Sequence, residues 1–239
     1  MNRESKKLLT AGLLELLLFA LLTELLGIVD VRIAGETETA LGFAALNLSF
    51  HQLTGVHFGL YVLTDWLGLV PVGVCLGFAL MGLVQLLRRR SLLKVDRDLL
   101  LLGVYYAAVI GCYLAFEKLA VNFRPVLIEG RREASYPSST TLLVLSVMPT
   151  LAFQAERRWK GSWGKWVRAG ATVFALGMVL GRLLSGVHWL TDILGAVLFS
   201  EGLFKLYKAA VFCGPEENCG EGPAWNSEKN CSSCEKAED

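Results

Sequence analysis

Long apolar runs separated by short polar stretches dominate the chain, and the run lengths match helices rather than strands. The first run, Leu8 to Val29, follows a charged start (Arg3, Glu4, Lys6, Lys7) and has 22 residues with no small-residue cleavage site. A signal peptide has a shorter apolar core, so this run reads as a retained spanning helix in which Glu15 needs a partner or a proton. Trp66 to Leu87 is the second span, closed by Arg88-Arg89-Arg90, and Leu99 to about Val121 is the third. The fourth begins at Pro137 or Ser138 and reaches about Ala155; Trp166 to Leu184 is the fifth and Val187 to Phe212 the sixth. Between the first two spans, Asp30 to Asp65 mixes acids, Asn47, His51, Gln52 and His57 with apolar residues. This stretch predicts a helix lying in the interface, with Tyr61 and Trp66 at headgroup level. The expected fold is therefore all-α, a polytopic six-helix membrane bundle over residues 1–212, followed by a polar tail, 213–239.

Composition sharpens this picture. Hydrophobic residues make up 54% of the 239 residues and the mean hydropathy is positive, too apolar for an ordinary soluble domain. The net charge of +1 says little, but its distribution is informative. Arg3, Lys6 and Lys7, the cluster Arg88 to Arg97, the cluster Arg157 to Arg168, and Lys205 with Lys208 all fall on one side, while Asp30 to Asp65 holds only Arg32. The positive-inside rule then puts both termini in the cytoplasm and turns the stretches 118–137 and 182–188 outward, side by side. Basic residues in short clusters between apolar spans exclude a nucleic-acid face.

Chemistry concentrates in Arg182 to Asp192, RLLSGVHWLTD. His188 and Asp192 are four apart, so on a helix the carboxylate shares a face with the imidazole and fixes its tautomer, leaving one nitrogen to attack an electrophile. Arg182, across the Ser185-Gly186 break, offers a planar guanidinium to phosphoryl oxygens. A carboxylate just inside an apolar span is rare and usually functional. Between spans three and four lie Lys118, Arg124-Pro125, Arg131, Arg132 and Pro137-Ser138-Ser139-Thr140. Ser138 to Thr140 open a helix, whose free N–H groups attract an anion. No metal-ligand constellation lies near these patches, so neither metal nor cofactor is expected. The tail cysteines Cys213, Cys219, Cys231 and Cys234 suit either a reduced, disordered cytoplasmic tail or a zinc site.

Together the three patches resemble the type-2 phosphatidic acid phosphatase family, which shares its site with vanadium haloperoxidases. That family carries K-x6-R-P, P-S-G-H and S-R-x5-H-x3-D. Here the third motif is matched by Gly181-Arg182, His188 and Asp192, with Gly in place of Ser. The first has five residues between Lys118 and Arg124, and the second reads Pro137-Ser138-Ser139-Thr140, with Thr in place of His. The resemblance implies a membrane lipid phosphatase in which His188 becomes a phosphohistidine and Asp192 orients it. Arg124, Arg182 and Lys118 would clamp phosphate oxygens, and Ser138, Ser139 and Thr140 would line the same pocket. One missing residue rotates Lys118 by about 100° on a helix, so a bulge, Arg131 or Arg132 would have to compensate.

In that family the second-motif histidine is the general acid. Thr140 has no acidic proton near neutral pH, and an alkoxide leaving group needs one. A phosphate leaving group, with a second pKa of about 6, departs without it. The expected substrate is therefore a polyprenyl diphosphate or related lipid phosphate at the outer face. His51 or His57, on the same face, is a candidate replacement donor. A silent lipid-phosphate-binding protein and a lipid phosphotransferase use the same residues and stay open as alternatives. Haloperoxidase chemistry does not suit a chain built for a bilayer.

Overall fold

The computed structural model describes residues 2–213 apart from Thr37 and Lys160. The tail beyond Cys213, with its zinc-or-disorder alternatives, lies outside the described residues. Helix α1 (Arg3–Leu26) is started by Asn2, whose side chain accepts from the Ser5 N–H at 2.8 Å. A hairpin of β1 (Arg32–Ala34) and β2 (Thr39–Leu41) follows, pairing Arg32 with Leu41. Next come α2 (Ala44–Thr54), α3 (Phe58–Leu67) and α4 (Leu69–Arg89), then a 3-10 turn at Leu92–Lys94. The chain continues through α5 (Arg97–Leu119), α6 (Ser139–Arg158), α7 (Ser162–Leu184) and α8 (Leu190–Phe212).

Four of these segments are long and apolar enough to cross a membrane: α1, the joined α3–α4 stretch Phe58–Arg89, α5 and α7. Helices α6 and α8 complete the six-span bundle from within. At about 1.5 Å per residue their 20 and 23 residues reach across the hydrocarbon core. They carry Ser146, Thr150, Gln154, Asp192 and Ser200, all buried, because protein rather than lipid surrounds them. Small residues allow a close approach of α1 to α8: a Cβ on Gly12 of α1 would stand 2.8 Å from the carbonyl of Gly202 on α8. Glu15 finds its partner across this contact in Lys205, which also meets Glu201 at 3.4 Å. The largest apolar cluster, including Phe19, Leu102, Tyr105, Tyr136, Leu142, Phe199 and Tyr207, fills the space where α1, α5, α6 and α8 meet.

Two expectations for the stretch 30–65 need correction. The β1–β2 hairpin is an addition that the mixed pattern concealed. The second span also begins earlier than Trp66, since Gly68 keeps a right-handed helical conformation between α3 and α4 and does not break the run. Trp66 is exposed, but Tyr61 is partly buried and turns inward. Both α2 and α3 pack onto the ends of α7 and α8 that meet at their connecting turn. Asn47 bonds the Thr191 N–H (3.2 Å) and hydroxyl (3.1 Å), and the His57 N–H donates to the Ser185 carbonyl at 2.9 Å.

Candidate active site

Every candidate motif converges on one end of the bundle: the end of α5, the start of α6, the end of α7 and the start of α8. The α7–α8 turn is held by Gly186, which has a left-handed φ of +69° and touches the α2–α3 turn so closely that a Cβ would sit 1.9 Å from the Gly55 carbonyl oxygen. That contact aims Arg182 and His188 into the same interior. Arg182 is 1% exposed; its Nη1 lies 3.3 Å from the Thr64 hydroxyl, 3.4 Å from the Tyr61 carbonyl and 3.8 Å from Asp65, and its guanidinium stands 4.9 Å from the centre of the Tyr61 ring. Arg124 approaches the same ring at 5.7 Å, so Tyr61 is flanked by both guanidinium groups.

His188 is 3% exposed and precedes α8 rather than riding on it. Its Nδ1 is 3.6 Å from Asp192 Oδ2, within ion-pair reach but longer than a hydrogen bond. The pairing comes from a helix cap: Asp192, in the first turn of α8, reaches back so that Oδ2 accepts the Trp189 N–H at 2.9 Å. Its Oδ1 takes a longer contact from Asn122 at 3.4 Å. Neither ring nitrogen of His188 makes a well-aligned hydrogen bond among the described residues, although the Ser135 backbone lies beside the ring, and Nε of Arg182 makes none. Burial, and after it the positive charge of Arg124 and Arg182, hold the His188 imidazole well below its ordinary range. It is therefore neutral near pH 7, the form a nucleophile requires.

The remaining residues divide. Ser138 is the N-cap of α6, fully buried; its N–H donates to the Asp192 carbonyl at 3.2 Å and its hydroxyl to Thr141 at 3.1 Å. Ser139 lines a cavity of about 230 Å³ together with Arg124, Ser135, Glu133 and, from α5, Glu117 and Tyr113. Thr140 is buried and its methyl packs toward Gly68, on the α4 side. Lys118 is exposed on the last turn of α5 and does not line this cavity. Its neighbour Glu117, one residue and about 100° round the helix, does. Arg131 and Arg132 are exposed on the loop and do not take the place of Lys118. The His51 ring stands 5.4 Å from that of Trp189 at a tilt of 58°, with Nδ1 buried, while His57 is exposed at the start of α3.

Tyr61, Thr64, Asn122, Glu133 and Ser135 are the residues that sequence reasoning missed. Asn122 alone had a usable signal, a polar residue within the loop that carries Arg124.

Such an arrangement defines a class: an integral-membrane helical bundle with two arginines, a histidine and an aspartate buried together at one end. The model of the PAP2 superfamily matches residues 99–212, which span α5 to α8 and hold Arg124, Ser138, Arg182, His188 and Asp192. Over that stretch the chain is similar to the PAP2 superfamily, with a variant second motif. The fold is similar to the crystal structure of a transmembrane PAP2-type phosphatidylglycerolphosphate phosphatase from Bacillus subtilis, with a TM-score of 0.53 and 18% identity over 84% of this chain and 94% of that one. No curated protein matches the sequence.

Proposed function

We propose that this protein removes a terminal phosphate from a lipid phosphate or diphosphate through a phosphohistidine on His188. The observation that carries the reading is a buried, neutral His188 with Asp192 beside its Nδ1 and no well-aligned hydrogen bond on its Nε2, in the same interior as Arg124 and Arg182. A plain anion pocket needs cations but no nucleophile. In the first step His188 attacks phosphorus and the P–O bond to the lipid breaks, the electron pair leaving on the lipid oxygen. In the second, water attacks the phosphohistidine, releasing phosphate and restoring the imidazole. Asp192 accepts the Trp189 N–H and stands beside Nδ1, which favours attack through Nε2 and stabilises the charge that develops on the ring. Arg124, Arg182, the Ser139 hydroxyl and the first-turn N–H groups of α6 bind phosphoryl oxygens.

The termini are cytoplasmic and the site faces outward in this reading, supported by the basic clusters at the end of the bundle opposite the site. Thr140 supplies no acidic proton, which favours a diphosphate, whose leaving group is itself a phosphate. Phosphate release from matched lipid mono- and diphosphates supplied to right-side-out vesicles tests all three points, with His188→Ala as control. Release by the unaltered protein and none by the variant is the expected result. Normal release by His188→Ala ends the phosphohistidine mechanism, and release only from inverted vesicles overturns the orientation.

A further inference from the structure

The cavity beside the clamp already holds an anion that belongs to the protein. Glu133 Oε2 lies 3.1 Å from Arg124 Nε. The two residues sit on facing limbs of one loop, joined by the Arg124 N–H to the Glu133 carbonyl (3.1 Å) and by the bridge between Phe123 and Ala134. Arg124 is 7% exposed, but the Glu133 side chain is 40% exposed and stands at the cavity rim, where Glu117 also faces in. Deeper in, the buried Ser135, whose hydroxyl lies beside Asp192, lines the same space. The interior is thus ready for a ligand with acceptor oxygens, while a carboxylate occupies the cation that such a ligand would use first.

We propose that Glu133 is a specificity-determining residue, an internal competitor that admits terminal phosphates and keeps out the phosphodiester headgroups of the surrounding bilayer. This rests on the lipid phosphatase reading of the same site. A phosphodiester carries one negative charge, as a carboxylate does, so exchanging Glu133 for it on Arg124 gains nothing in charge and gives up a tethered partner. A terminal phosphate carries about −1.5 to −2 at pH 7 with three acceptor oxygens, and attraction to a guanidinium scales with that charge. It displaces the carboxylate, which swings to the exposed rim. The filter matters because a site opening beside a membrane meets phosphodiester lipid in large excess over any phosphomonoester or diphosphate.

Removing the charge while keeping the shape separates this role from a merely supporting one. In detergent micelles, phosphatidylglycerol should inhibit hydrolysis of a lipid monophosphate by Glu133→Gln at a mole fraction about three- to tenfold lower than for the unaltered protein, the span expected of a half-exposed ion pair. Inorganic phosphate, measured by calorimetry without turnover, should bind Glu133→Gln more tightly but by a clearly smaller factor, and Glu133→Asp should behave as the unaltered protein; an equal factor for both ligands overturns the role in specificity. If Glu133 only braced Arg124, both affinities would weaken in the Gln variant; weaker or unchanged binding overturns the proposal. Inorganic phosphate that binds the unaltered protein without tightening in the variant removes this inference alone. Failure to bind either protein removes the phosphatase reading as well.

Discussion

The two ends of the bundle use the same kinds of residue to opposite effect. At the end away from the site, Arg158 bonds both carboxylate oxygens of Asp98 at 2.9 Å, Asp96 at 3.2 Å and Gln154 at 2.9 Å. Gln154 passes on to the Tyr207 hydroxyl at 2.6 Å, and Asp96 is held in turn by Gln85 and Arg89. This bidentate, cross-braced network ties α4, α5, α6 and α8 together and satisfies the polar groups that burial would penalise. At the end that holds the site, Arg182 Nε, Ser135 Oγ and both nitrogens of His188 are buried without a well-aligned hydrogen bond among the described residues. A buried polar atom without a partner costs about 1–3 kcal/mol, so a fold keeps several together only where a ligand completes them. One end is closed for stability and the other is left open for chemistry.

That contrast breaks most sharply under paired substitutions. His188→Gln should lower phosphate release at least about a thousandfold, as loss of a covalent nucleophile does, and leave the thermal midpoint unchanged or raised. Arg158→Ala should do the reverse. It removes the hub of a network whose members are only partly exposed, costing about 1–3 kcal/mol in stability after discounting for solvent, while release per folded molecule stays near normal. Thermal denaturation and turnover measured on both variants check the pair; a stability loss in His188→Gln equal to that in Arg158→Ala would erase the distinction.

Thr140→His sharpens the chemistry of the open end. An imidazole there should raise turnover of lipid monophosphates more than that of diphosphates, by up to about a hundredfold in the ratio, because only an alkoxide leaving group needs the proton. Equal mono- and diphosphate rates in the unaltered protein would sink the leaving-group argument. The smallest effect belongs to Lys118→Ala. With Lys118 exposed and Glu117 on the cavity wall, kcat/KM should change less than about twofold; a loss near that expected for Arg124→Ala would return Lys118 to the clamp.

Much of this was legible in the chain itself. Span lengths are set by the bilayer and by the helical rise, so the six runs and most of their limits could be read from hydropathy alone. The pairing of His188 with Asp192 was legible too, although the means was different: four-residue spacing suggested a shared helix face, and the structure supplies a side chain that caps its own helix. The shortened spacing from Lys118 to Arg124 suggested a rotated lysine, and in the structure Lys118 is exposed while Glu117 lines the cavity.

Tertiary packing alone decided the rest. No local pattern sets α2 and α3 against the α7–α8 turn, because that contact depends on two glycines, Gly55 and Gly186, 131 positions apart, whose backbones touch. It brings Tyr61 between two arginines instead of leaving it at headgroup level. Hydropathy also could not show that α6 and α8 are the inner pair, since a helix wrapped in protein is free to carry Ser, Thr, Gln and Asp that lipid would reject. Which polar atoms are satisfied is likewise a property of the assembled whole. Arg158 and Arg182 are the same residue in the sequence, and only their neighbours make one a brace and the other part of a site.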